Sequence, residues 1–326
     1  MKFLSVSEIA KKWNISDRSV RNYCAHGRIP GAFLTGKIWN IPADAIKPER
    51  EKLKPFSNNP LLNILKEQKD MKLNGGIYHK TQIELTYHSN HIEGNALTHD
   101  QIRYIFETNT LGVEKGTINI DDVVETANHF NCVDYIIDNA QKPLIESMIK
   151  KLHFILKNGT SHSRKEWFNV GEYKKLPNEV GGAETCQPEN VKTEMKKLLS
   201  TYNTIENKTF EQILEFHKNF ESIHPFQDGN GRIGRLIMFK ECLANNIVPF
   251  IIDEEHKLFY YRGLKEWDNE KGYLIDTCLS CQDKYKVWLD YFRIGYWFGR
   301  KTNERLFKIV WKIWRYKRYC RYNSGD

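Results

Sequence analysis

Two hydrophobic periods share this chain, and where each holds sets the first reading of its architecture. Residues 4–24 carry two short helical patterns, Val6–Trp13 and Ser16–Tyr23, separated by Asn14 and Ile15, with Ser16 well placed as a helix cap. Behind them, Ala32–Ile41 reads as two short strands around Gly36, and Pro42–Ile46 as a closing helix. Pro48, Pro55 and Pro60 then fall in a polar setting with Ser57, Asn58 and Asn59, which marks a linker. From Leu61 onward apolar residues recur at helical spacing, as in Ile83 and Tyr87, in Ile102, Ile105 and Phe106, and in Val123, Val124, Ala127, Phe130, Val133, Ile136 and Ile137. The fold class this predicts is mainly α. One stretch interrupts it: Trp167–Gly182 has Gly, Pro and Asn punctuation around short strand-like runs.

The pattern divides the chain into a small module over residues 1–50, a linker over 51–60, a helical core over 61–290 and an extension over 291–326. With 326 residues and 40% hydrophobic content the chain can bury a proper core. Charge changes the picture only locally. The extension holds ten Lys/Arg against two Asp/Glu, a net of +8 that equals the excess of the whole chain, and eleven aromatics are interleaved with it. Leu306, Ile309, Val310 and Ile313 follow helical spacing there, so packing on the core with solvated charges is preferred over a nucleic-acid or membrane surface. Seven scattered cysteines and no apolar segment after Met1 point to a reducing cytoplasm. No run approaches twenty apolar residues, which excludes a spanning helix. Cys278 and Cys281 form a lone CxxC without a second pair, a poor basis for zinc or redox duty.

Candidate chemistry concentrates between His224 and Arg235, His-Pro-Phe-Gln-Asp-Gly-Asn-Gly-Arg-Ile-Gly-Arg. His224 can accept a proton near neutral pH, and Pro225 behind it places it at a helix end. Asp228 is a hard oxygen ligand suited to Mg2+. Gly229, Asn230 and Gly231 let the main chain turn with its N–H groups free, and the apolar positions Ile233, Leu236, Ile237 and Phe239 read as a helix that starts there. An anion would then meet a helix N-terminus and a nest of amides. Arg232 and Arg235 project from the same first turn, where cations oppose the helix dipole unless an anion compensates them.

His224–Arg235 resembles the signature of the Fic (filamentation induced by cAMP) family at every defined position. Upstream, Ser89, Glu93 and Gly94 resemble the inhibitory helix that some Fic proteins carry ahead of the core, here around residues 86–95. The resemblance implies a protein adenylyltransferase, with His224 as general base, Asp228 as Mg2+ ligand, and Gly229, Asn230 and Gly231 as the anion hole for ATP. Arg232 and Arg235 would hold the distal phosphates. It further implies that Glu93 pairs with Arg235 and restrains ATP. Tyr261 and Leu264, in a segment similar to the one that closes on adenine, would contact the base. The interruption at 168–182 would be the β-hairpin flap that orders a target segment, although Gly171-Glu-Tyr-Lys174 has Lys where the family usually has Arg.

Residues 1–50 resemble the winged helix-turn-helix modules of excisionase and MerR type, with Arg18, Arg21, Asn22 and Lys37 available for DNA. Their nine Lys/Arg against four Asp/Glu suit a phosphate-facing surface, while a protein-docking module of the same shape stays open. The partners this reading calls for are a protein with a hydroxyl side chain, the chain itself, duplex DNA, and a second copy in a homodimer. Two further readings remain beside the transferase: a DNA-bound regulator whose core senses nucleotide, and an enzyme that also removes AMP.

Overall fold

The computed structural model describes residues 2–25, 29–36, 38–48, 59–113 and 116–296, which divide into one compact unit up to residue 56 and a second from residue 57. The linker residues 51–58 and the extension from residue 297 lie outside the described residues.

In the first unit, α1 (Val6–Trp13) opens on a capping box, in which the Ser5 side chain accepts from Glu8 N–H and the Glu8 carboxylate accepts from Ser5 N–H at 2.8 Å. Asn14 ends the helix in the left-handed region, at φ 52°, a conformation Asn tolerates better than most residues. Helix α2 (Asp17–Ala25) follows, with Ser19 N–H donating to Ser16 Oγ at 3.2 Å, as its sequence position suggests. Strands β1 (Phe3–Leu4), β2 (Phe33–Thr35) and β3 (Ile38–Pro42) form an antiparallel sheet of order β1-β3-β2. Val6, Ile9, Trp13, Val20, Ile29 and Ile41 close the core between helices and sheet. The closing helix expected at Pro42–Ile46 does not form. Pro42 is the end of β3 opposite Phe3, Ala43 N–H donates to the Lys2 carbonyl at 2.9 Å, and Ala45 N–H returns to the Pro42 carbonyl. The strand β1, too short to leave a periodic signal, holds Ile41 and Pro42 extended by pairing with them, so the chain cannot enter a helix at Pro42.

The second unit is built from α3 (Pro60–Asp70), α4 (Ile77–Ile92), α5 (His99–Thr108), α6 (Ile120–Asp138), α7 (Glu146–Lys157), α8 (Pro188–Asn203), α9 (Phe210–Ile223), α10 (Asn230–Ala244), α11 (Lys257–Lys265) and α12 (Gly272–Tyr291). A two-stranded hairpin, β4 (Glu179–Val180) with β5 (Ala183–Glu184), turns through Gly181 and Gly182, both at positive φ. The flap expected over 168–182 is therefore displaced: its strands lie at 179–184, and 168–178 is loop, because only the Gly-Gly step supplies the two left-handed residues a tight hairpin turn needs.

Helix α10 is the hub. It contacts α4, α6, α7 and α9, and Ile233, Leu236, Ile237, Phe239 and Leu243 are all buried. A helix buried on every side, its polar residues Arg232, Arg235, Lys240 and Glu241 included, sits at the centre of a bundle. Helix α4 lies against it, and the turn after α4 is fixed from outside: Asn95 Nδ2 donates to the Asp122 carbonyl at 3.0 Å and to Thr126 Oγ1 at 3.3 Å. Leu236→Ala should cost about 2–5 kcal/mol, since its methyl groups leave a cavity at the hub. The urea midpoint measures this, and an unchanged midpoint would mean that α10 is not the core element described.

Candidate active site

His224 caps α9 in a left-handed conformation at φ 51°, with its N–H donating to the Phe220 carbonyl at 2.9 Å. The ring is largely buried. Burial, and after it the Lys174 ammonium, lowers its pKa to about 4, so the imidazole is unprotonated at neutral pH and able to take a proton. The loop behind it is clamped by Asn230, which accepts from Phe226 N–H at 2.8 Å and donates to the Phe226 carbonyl at 2.8 Å. His153 stacks on Phe226 with ring centroids 4.0 Å apart and accepts from Gly171 N–H at 2.8 Å, tying α7 and the flap base to the same loop.

Gly229, left-handed at φ 85°, precedes α10 and turns the first amides of the helix toward the loop. The side chain of Asn230 is thus committed to Phe226, and any part it takes in an anion hole falls to its backbone N–H. Gly231 has a different reason for lacking a side chain: a Cβ there would lie 2.3 Å from Glu93 Oε1.

Arg235 is 4% exposed. Its Nε donates to Ser89 Oγ at 3.0 Å, and its terminal nitrogen donates to the Ser89 carbonyl at 2.8 Å and to Glu93 Oε1 at 2.7 Å. Glu93 is the C-cap of α4, and Gly94 at φ 93° turns the chain away directly after it. Ser89, Glu93, Gly94 and Arg235 therefore meet as the sequence resemblance implies. Arg232 differs from that expectation. It is buried and pairs with Glu125, with Asp228 Oδ1 3.6 Å away, so in this state it is held by carboxylates of the core.

Asp228 accepts from Lys157 Nζ at 2.6 Å and from Gly229 N–H at 2.6 Å. Burial opposes its charge, but Arg232 and Lys157 outweigh that and hold the carboxyl well below the usual carboxylate range. At 40% exposed it is an ionised oxygen ligand facing the mouth of the site, and it fits Mg2+ as one protein carboxylate among substrate and water oxygens. Elsewhere Asp253, Glu255 and His256 lie close enough for a cation, but Lys284 already bonds Asp253 at 2.6 Å and Glu255 at 2.7 Å.

Tyr261 lies on α11, half exposed, and Leu264 of the same helix packs against the core cluster that includes Ile92 and Met238. Its neighbour Tyr260 is core, bonded to His217 Nε2 at 2.6 Å. Asp268 turns to Lys218 at 2.6 Å. Of the residues read as DNA contacts, Arg18, Arg21 and Asn22 lie on α2, Arg21 61% exposed and 3.7 Å from Asp17, while Lys37 is outside the described residues. Cys278 and Cys281 are buried in α12, where burial raises both thiols and leaves them poor ligands at neutral pH.

Sequence reasoning missed Glu125 and Lys157, and it singled out Lys174 without its partners. Glu125 bonds both Lys157 and Arg232, so two cations and two carboxylates interlock under the loop. Lys174 donates its N–H to the Pro225 carbonyl at 2.9 Å and its ammonium to Asn178 and Thr185. Spacing along the chain carries no trace of these partnerships.

A model of the Fic/DOC family matches residues 143–242. Proteins named protein adenylyltransferase Fic from Drosophila grimshawi and Drosophila melanogaster are each 29% identical over 187 residues, which is 55% of this chain and 36% of theirs. The chain thus spans about a third of the length of these relatives. Among solved structures, a Fic domain containing signaling protein from Bacteroides thetaiotaomicron aligns with TM-score 0.57 and 24% identity over 74% of this chain and 99% of that one. Fic-1 from C. elegans aligns with TM-score 0.56 and 18% identity over 72% of each. The matched segment runs from α7 into α10 and contains His224, Asp228 and Arg235, so the motif, the helical frame and the family model agree: residues 143–242 match a domain of the Fic/DOC family.

Proposed function

We propose that this protein transfers AMP from ATP to a Ser, Thr or Tyr hydroxyl of a protein, and that Glu93 restrains the transfer. The observation that carries this reading is the set of three hydrogen bonds from Arg235 to Ser89 and Glu93, beside an unprotonated His224. The target hydroxyl oxygen attacks the α-phosphorus in line, the bond from that phosphorus to pyrophosphate breaks, and His224 takes the hydroxyl proton. The backbone N–H groups of Gly229, Asn230 and Gly231 would bind phosphate oxygens, with Arg232 and Arg235 on the distal phosphates once released from Glu125 and Glu93. Tyr261 and Leu264 would meet the adenine. Asp228 would hold Mg2+, which neutralises charge on the leaving pyrophosphate. Cys24, Cys132, Cys186, Cys242, Cys278 and Cys281 are free thiols, which suits a reducing cytoplasm. Among the described residues no helix is long and apolar enough to cross a membrane.

The first unit would bring the enzyme to duplex DNA through α2, with Arg18, Arg21, Asn22 and Lys37 on the phosphates and bases. Its support is the two-helix arrangement joined at Asn14–Ser16 and the net charge of +5 over residues 1–50. A DNA-bound nucleotide sensor without transfer would not need an unprotonated His224 beside Asp228. Removal of AMP is the other direction the site permits, because Glu93 lies where it could orient a water. The target, self-modification and a homodimer remain parts of the proposal that experiment must assign.

Three outcomes are expected. His224→Ala should abolish AMP incorporation from labelled ATP while nucleotide binding persists, because the base acts on the target hydroxyl; undiminished incorporation would remove His224 from the mechanism. Glu93→Gly should raise auto-modification, on the order of tenfold for each 1.4 kcal/mol of competing interaction released. Equal incorporation by folded wild type and variant would end the inhibitory assignment. Binding of the full chain to duplex DNA should weaken steeply as salt rises, the slope reporting the phosphates neutralised, and no binding at low salt would leave a protein-docking role for the first unit.

A further inference from the structure

Lys174 is 4% exposed, and among the described residues no carboxylate pairs with it. A buried ammonium must satisfy three donors, and here they go to Asn178 Oδ1 at 2.7 Å, Thr185 Oγ1 at 2.6 Å and the Ile223 carbonyl at 3.4 Å. Asn178 and Thr185 close the base of the β4–β5 hairpin: Thr185 N–H and Oγ1 both donate to the Asn178 carbonyl, at 3.3 Å and 3.0 Å. Ile223 is the last residue of α9, directly before His224. The same stretch makes further ties to that loop, from Lys174 N–H to Pro225 O at 2.9 Å and from Asn178 Nδ2 to Phe226 O at 3.0 Å.

We propose that Lys174 is a positioning residue that couples the flap to the general base, registering the hairpin against the main chain on either side of His224 so that a target segment paired to the flap presents its hydroxyl to the imidazole. This rests on the transferase reading above. A lone cation is suited to the task. A carboxylate at this position would face the Asn178 and Ile223 oxygens and would favour the protonated ring, whereas the ammonium bonds those oxygens and disfavours it. Four groups face His224: Lys174 from the flap base, Glu221 from α9 with its carboxyl kept neutral by burial, Glu93 from the end of α4 and Asp228 from its own loop. Of these, Lys174 alone pushes the ring toward the neutral form, while the Glu221 main chain, Glu93 and Asp228 pull it toward the cation. Lysine in place of the guanidinium usual in the family keeps the charge, and its three donors meet the three acceptors present.

The test uses the full chain carrying Glu93→Gly, with and without Lys174→Met or Lys174→Arg, and two readouts. One is the pH profile of auto-AMPylation; the other is the titration of the His224 ring by NMR without nucleotide, which does not depend on the transferase reading. Loss of the positive charge should raise the ring pKa and move the acid limb of the profile upward by on the order of one pH unit. The rate at neutral pH should fall at least tenfold, and amides of residues 179–184 should exchange faster. Lys174→Arg should return the limb to its original pH and recover part of the rate. A Lys174→Met profile that falls equally at every pH, with the His224 titration unmoved, would overturn the coupling and leave Lys174 a structural residue. Absence of transfer by the Glu93→Gly parent at every pH would instead count against the proposed function, with the NMR titration still deciding on Lys174.

Discussion

Two buried guanidinium groups in the first two turns of one helix set the constraint that the rest of the core answers. Arg232 and Arg235 sit at the N-terminal end of α10, where the helix dipole already carries partial positive charge, and both are withdrawn from water. Such a site is tenable only if anions come to it, because an unpaired buried charge costs several kcal/mol. Glu125 comes from α6, Asp228 from the loop, and Glu93 with the Ser89 carbonyl from α4. Four separate segments are thereby drawn to one point, and Lys157 adds its own charge between Glu125 and Asp228. On the proposed function, the phosphates of a nucleotide would take the place of these carboxylates, so that one geometry would serve both.

Glu93 and His224 are linked through this arrangement rather than through direct touch. Gly231 has no room for a side chain because Glu93 occupies the space a Cβ would take, so the Glu93 carboxylate lies directly against the start of α10. Gly234 does the equivalent on the next turn, leaving room for His217 and Glu221 of α9. Burial raises the Glu221 carboxyl to about 8, so a neutral acid, not a second anion, lies next to Arg235 and His224. The anion that Arg235 lacks is therefore left to Glu93 or to a ligand.

Much of this was legible in the chain. The break from helical period at Pro225 and Gly229, the return to it at Ile233, and the crowding of a base, a carboxylate and two arginines between them are local facts, and the loop and α10 form where those facts put them. Ser16 as a cap and the two helices around Asn14 are local in the same sense. Local signals failed where a distant strand or helix competed for a backbone group. The helix expected at Pro42 gave way to pairing of Ile41 and Pro42 with Leu4 and Phe3, far away in sequence, and the hairpin formed at the Gly181–Gly182 step because there the turn can close.

What the sequence alone determined is the set of groups that share one loop or one helix face, since spacing of three or four residues is geometry by itself. The pairing of Ser89 and Glu93 with Arg235 was available only through a family likeness, because nothing along the chain says which of many acids meets which arginine. Tertiary structure decided the partners of Glu125, Lys157 and Lys174. Each sits in an ordinary polar position of its own segment, and becomes part of the site only because α6, α7 and the flap base are packed around α10 and its loop, where burial turns a solvated surface charge into one that must find a partner.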